Sequence, residues 1–181
     1  MTLIFILAAP FSFQKAIVAW KVGNDSAVAY IADSGRRVGM LIYRGGELSE
    51  RGLILDKKGW KVDMNLLEYS AQEGYFKTPE DLVNFWCTGD PVSRGVVLGH
   101  GGLRATEAGS ENYQGYDCAA YKLTGDDTSI EGKLLRWKGL TLFYQVKEEG
   151  EVREASLMRL DTLSPIPEEM LRLPETIFPV R

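Results

Sequence analysis

The chain has 181 residues, 45% of them hydrophobic and 25% charged, enough for one domain with a real core and too apolar for wholesale disorder. Its formal charge of −4 and scattered lysines and arginines leave no electrostatic footprint for nucleic acid or anionic lipid. Nineteen glycines suit a turn-rich β-protein.

Met1 to Phe13 is almost wholly apolar, Thr2 and Ser12 excepted. That is short of the ~20 residues a membrane-spanning helix needs, so no transmembrane span is expected. It matches a signal-peptide hydrophobic region, with Ala8-Ala9 near its end, but the basic start is missing because the first positive side chain is Lys15. The alternative is a buried first strand. We read residues 1–14 as a leader remnant of an exported protein and 15–181 as a single domain of the periplasm or cell envelope. Cys87 and Cys118 would then permit one disulfide; two buried thiols are the other reading.

Strand signals follow at Ala16 to Trp20, Ala27 to Ala32 and Arg37 to Tyr43, separated by turns at Asn24-Asp25 and Asp33-Ser34-Gly35. Val38, Met40 and Ile42 share one face of the third. After Gly45-Gly46, residues 53–69 read as two strands about a turn at Asp56-Lys57-Lys58-Gly59, with Trp60, Val62 and Met64 alternating with Lys61 and Asp63. Thr78-Pro79-Glu80-Asp81 then starts a helix: a capping threonine, proline in the first turn and two acids at the positive end of the dipole. Leu82, Val83, Phe85, Trp86 and Cys87 follow at helical spacing, and Thr88-Gly89-Asp90-Pro91 ends the helix. Residues 107–114 are polar and read as loop. Strand rhythm returns over 116–123, 130–137, 140–147 and 152–161; residues 165–171 predict one helical turn and 173–180 an extended tail on a sheet edge.

Nine or ten strands and one helix make a mainly β fold with minor α. Large antiparallel sheets must curl to cover their apolar face. We therefore expect a strongly curved antiparallel sheet, a half-barrel with the short helix against its concave face.

Catalytic signals are thin. His100, the single histidine, lies in Gly99-His100-Gly101-Gly102, and Ser93, Ser110 and Asp117 are the nearest partners for a hydrolytic reading that treats it as a base. The glycine run lacks the Lys-Ser/Thr of a phosphate loop, and Asp126-Asp127 and Glu148-Glu149 lack calcium-loop spacing. No metal, no cofactor and no catalysis are expected.

Three stretches carry a resemblance. Ile54-Leu55-Asp56-Lys57-Lys58-Gly59-Trp60-Lys61-Val62-Asp63 resembles the hairpin of the periplasmic lipoprotein carriers, the LolA/LolB-like superfamily, with Lys57-Lys58 inserted before the glycine. Gly115-Tyr116-Asp117-Cys118-Ala119-Ala120-Tyr121 and Trp137-Lys138-Gly139-Leu140-Thr141-Leu142 are similar to a related envelope family of unknown function, the nearer of the two. The resemblance implies a half-barrel that binds a lipid acyl chain or a lipoprotein in an apolar hollow. Candidate lining residues are Val38, Met40, Ile42, Leu55, Trp60, Val62, Met64, Trp86, Leu142 and Tyr144. It also implies a lid-fastening basic residue, Arg36 or Arg37. The rival reading is an envelope sensor or adaptor with a filled core that binds a protein partner; on either reading a monomer is expected.

Overall fold

The computed structural model describes residues 11–55, 58–64, 68–72, 78–90, 92–93, 103–125, 130–173 and 178–179. Among the described residues, twelve strands form one sheet. An N-terminal meander comprises β1 (Ala16–Val22), β2 (Asp25–Ala32), β3 (Arg37–Arg44), β4 (Glu47–Leu55), β5 (Lys58–Asp63) and β6 (Glu68–Gln72). After α1 (Pro79–Thr88) comes a second meander of β7 (Arg104–Tyr113), β8 (Tyr116–Thr124), β9 (Ile130–Trp137), β10 (Leu140–Glu148) and β11 (Glu151–Asp161), and the two-residue β12 (Phe178–Pro179) closes the chain. The strand order is β12-β6-β5-β4-β3-β2-β1-β11-β10-β9-β8-β7. The pairing β1–β11 therefore fuses the two meanders. Every neighbouring pair is antiparallel except β12–β6.

The sheet has more strands than the sequence suggests. Residues 107–114 fall mostly in β7, not in a loop, and Lys58 and Gly59, expected in a turn, pair with Leu55 and Ile54. A 3₁₀ turn at Glu168–Leu171 and the edge position of β12 match the expected C-terminal segment.

The helix forms as its termini dictate. Thr78 Oγ1 accepts the Asp81 N–H at 3.2 Å, Pro79 opens the first turn, and Gly89 takes the left-handed conformation (φ 75°) that ends it. Ten residues make a rod about 15 Å long. It packs on β3, β2, β1, β11 and β10, five consecutive strands centred on β1. Leu82, Val83 and Cys87 from the helix join Val18, Trp20, Ala29, Val38, Met40, Ile54 and Leu142 in one buried cluster. Register shifts interrupt four strand pairs: β1–β11, β3–β4, β7–β8 and β9–β10.

Phe11–Gln14, counted with the leader on hydropathy alone, belong to the folded unit. Phe11 is fully buried and its N–H donates to the Ser34 carbonyl at 3.0 Å, while Ser34 donates back to Gln14 at 2.9 Å. Phe13 stacks between Phe11 (5.1 Å between centroids) and Trp137 (5.4 Å).

Candidate functional site

Cross-strand partners in an antiparallel pair project from the same face, so register assigns each lining candidate to a side. Met40 lies opposite Gly52, and a Cβ on Gly52 would stand 2.8 Å from both Met40 Cε and Trp86 Cζ3. Met40, with Val38 and Ile42 on the same alternation, thus faces the helix. Leu142 sits in the same core cluster, and Tyr144 continues that face through Ala155 and Val22. Leu55, Trp60 and Val62 do not join them. They pair with Arg37, Leu53 and Arg51, and Leu53 pairs with Gly39, whose face meets Met170 from the C-terminal segment. The single wall expected from sequence is split between two sides of the sheet. Met64 follows β5, half-buried, its N–H bonded to the Ser49 carbonyl at 3.2 Å.

On the helix side the packing is dense. Val38, Met40 and Leu142 are fully buried, and the Trp86 ring occupies the space that any side chain at position 52 would need.

Where α1 ends, a polar network enters this core. The register shift in β10 makes Leu142 an extra residue, and pairing with β11 begins only at Phe143, so Thr141, opposite Arg136 on β9, has no β11 partner. Its freed backbone groups are satisfied by side chains: Asn84 Oδ1 accepts the Thr141 N–H at 2.9 Å, and Trp20 Nε1 donates to the Thr141 carbonyl at 2.8 Å. Asn84 also donates to the Gly139 carbonyl at 2.9 Å. Asp90, fully buried, accepts from Arg136 Nη2 (2.7 Å), Thr141 Oγ1 (2.8 Å), Ser93 Oγ (3.1 Å) and the Val92 N–H (3.0 Å). Such a set satisfies a buried carboxylate almost completely. The nearby Tyr144 phenol is pushed up to about 12, mainly by burial and secondarily by Asp90.

On the outer side, the segment leaving β11 is clamped to the sheet. Arg51 Nη2 donates to the carbonyls of Glu169 and, at 2.9 Å, Arg172. Burial, then the proximity of Arg172, lowers the Arg51 pKa. Arg37 bonds Glu168 at 2.7 Å and Asp33 at 2.6 Å. The Met170 carbonyl lies so close to Gly39 that a Cβ there would collide with it. The basic residues fastening this strap are therefore Arg51 and Arg37; Arg51 was not anticipated, because an arginine in a polar half-strand carries no distinguishing pattern.

Cys87 and Cys118 are free thiols buried in the core cluster, so the bridge is not formed. Burial pushes both thiols up, Cys118 to about 11 with help from Asp117 and Glu111. His100 lies outside the described residues. Ser93 is engaged by Asp90 and Arg136, Ser110 lies on exposed β7, and Asp117 accepts from Asn112 at 3.1 Å. Among the described residues no cluster of three His, Cys, Asp or Glu could hold a metal, and no helix is long and apolar enough to cross a membrane.

No protein-family profile matches the chain, and no curated protein matches it. Solved structures do. An uncharacterized conserved protein from Thermus thermophilus superposes with a TM-score of 0.52 at 14% identity, covering 93% of this chain and 90% of that one. MucB gives 0.53 at 14% identity over 93% of this chain and 60% of its own. The MucA/MucB complex of Pseudomonas aeruginosa gives 0.52 at 14% identity over 90% and 56%. The chain thus spans under two thirds of these MucB structures. LolA superfamily protein NE2245 from Nitrosomonas europaea also matches, at 10% identity and a TM-score of 0.37 over 91% and 94%. At these identities the likeness is one of fold.

Proposed function

We propose that the protein is a non-catalytic binding module of the cell envelope that engages a polypeptide partner while its helix–sheet interior stays filled. The observation that carries this reading is the contact of Trp86 with Gly52 beside fully buried Val38 and Met40, where the ring takes the space that a side chain at position 52 would need. The two bonds of Asn84 to the β9–β10 turn hold the helix in place, where a lid would have to leave. The fold likeness to MucB, solved with MucA, favours a protein partner and an envelope setting for the exported domain.

A half-barrel curvature is part of the proposal. One short helix meets five strands, and four register shifts add local twist. Gln114 Nε2 reaches the Leu157 carbonyl at 3.0 Å and Tyr116 the Leu160 carbonyl at 3.4 Å, although β9 and β10 separate β8 from β11. In a flat sheet those strands would lie about 14 Å apart.

Mass spectrometry of organic extracts from purified protein tests the filled interior. No stoichiometric acyl ligand is expected, and one acyl chain per protein would overturn it. Photo-crosslinking in envelope extract should yield one defined polypeptide adduct; the absence of any specific adduct counts against the partner.

The lipid reading keeps one observation in its favour. Leu55 and Trp60 are half-buried on the outer face, beside fully buried Leu53 and Val62, where the strap lies. An acyl ligand lost in Trp60→Ala but retained in Leu142→Ala would place it there.

A further inference from the structure

Strand β7 is unexplained by the core. It is ten residues long, and all but Tyr113 are exposed on both faces. It forms one edge of the sheet; at the other edge β12 has two residues, one of them Pro179, which has no N–H to offer. The long edge is the open one.

Its hydrogen-bonding groups come in an irregular order. The turn Gln114-Gly115 has two positive φ angles (54° and 88°), the type I′ geometry that closes a hairpin on a hydrogen-bonded pair, here Tyr113 with Tyr116. Pairing alternates from there, so the backbone groups of Asn112 and Ser110 turn away from β8. The bulge at Ala108-Gly109, with Gly109 at φ 92°, inserts one residue opposite Ala120. Beyond it, Glu107 and Ala105 are the residues that turn outward. The outward steps are therefore two, three and two residues, where a regular strand offers only steps of two. An ordinary strand can follow one arm of β7; both arms need a partner with the same three-residue step.

We propose that this partner is β7 of a second copy, paired antiparallel about a twofold axis at the bulge. Glu107 then lies opposite Ser110 of the second copy, and Ala105 opposite Asn112. Thr106 meets Glu111, and Arg104 meets Tyr113, so no like charges stand face to face. The contact is isologous, as closed dimers require. Without an apolar patch it is a small interface, so the dimer is weak and dissociates on dilution. It stands apart from the polypeptide-partner reading, which holds or fails on other residues.

Sedimentation of the full chain at about 100 μM, a concentration suited to a weak interface, tests this. A dimer is expected for the native sequence. Glu107→Pro should be monomeric with unchanged circular dichroism, because that N–H is not used by β8. If the proline variant unfolds, Glu107→Cys/Ser110→Cys replaces it: mild oxidation should give a covalent dimer that neither single variant gives. A monomeric native chain, a dimer untouched by Glu107→Pro, or a double-cysteine chain that stays monomeric on oxidation would overturn the proposal.

Discussion

Asn84 spends its whole amide on the β9–β10 turn, accepting from Thr141 and donating to Gly139. Asn84→Ala would leave a buried N–H and a carbonyl unpaired, and we expect a loss of about 2–4 kcal/mol in urea unfolding. Arg136 is 21% exposed and Asp90 fully buried, so removing the arginine strands a carboxylate in the core. Arg136→Met should cost roughly 3 kcal/mol by the same measurement. Neither residue was legible beforehand, because asparagine in a helix and arginine in a strand look like ordinary surface choices. Tyr144 supplies a pH dependence. Its phenol, raised to about 12 by burial, contributes stability that is complete below the unfolded value near 10 and is lost as pH rises toward 12. Tyr144→Phe should remove a late-titrating component from a phenolate absorbance titration and flatten the alkaline fall in stability.

Among elements, α1 was readable to the residue. Thr78, Pro79 and Gly89 act locally, through capping bonds and backbone preference, and need no distant partner. β7 was not readable because it has no buried face, and strand recognition rests on apolar alternation. The C-terminal strap shows an intermediate case. Its 3₁₀ turn was expected, but what holds it was not: Gly39 admits the Met170 backbone and Arg51 binds two carbonyls. Gly39→Ala should force the strap away, seen as faster hydrogen exchange over residues 165–173 with α1 unchanged. Unchanged exchange in the strap would show that the close approach does not hold it.

At the scale of the molecule, two meanders become one sheet through β1 and β11, strands more than 120 residues apart in the chain. That union puts five strands under one helix and lets Trp20 reach Thr141. The apolar candidates for a lipid-lining surface group as one wall in the sequence because each strand's alternation is visible there while its phase relative to the next strand is not. Shifting register by one residue exchanges the faces. Composition and local pattern by themselves determined a mainly β domain and the position and limits of its helix. Tertiary structure decided which side each strand shows the helix, that the Trp86 ring packs against Gly52, and that a polar network rather than a bridge between Cys87 and Cys118 ties helix to sheet. Those outcomes depend on pairings between distant strands, which no stretch of sequence specifies alone.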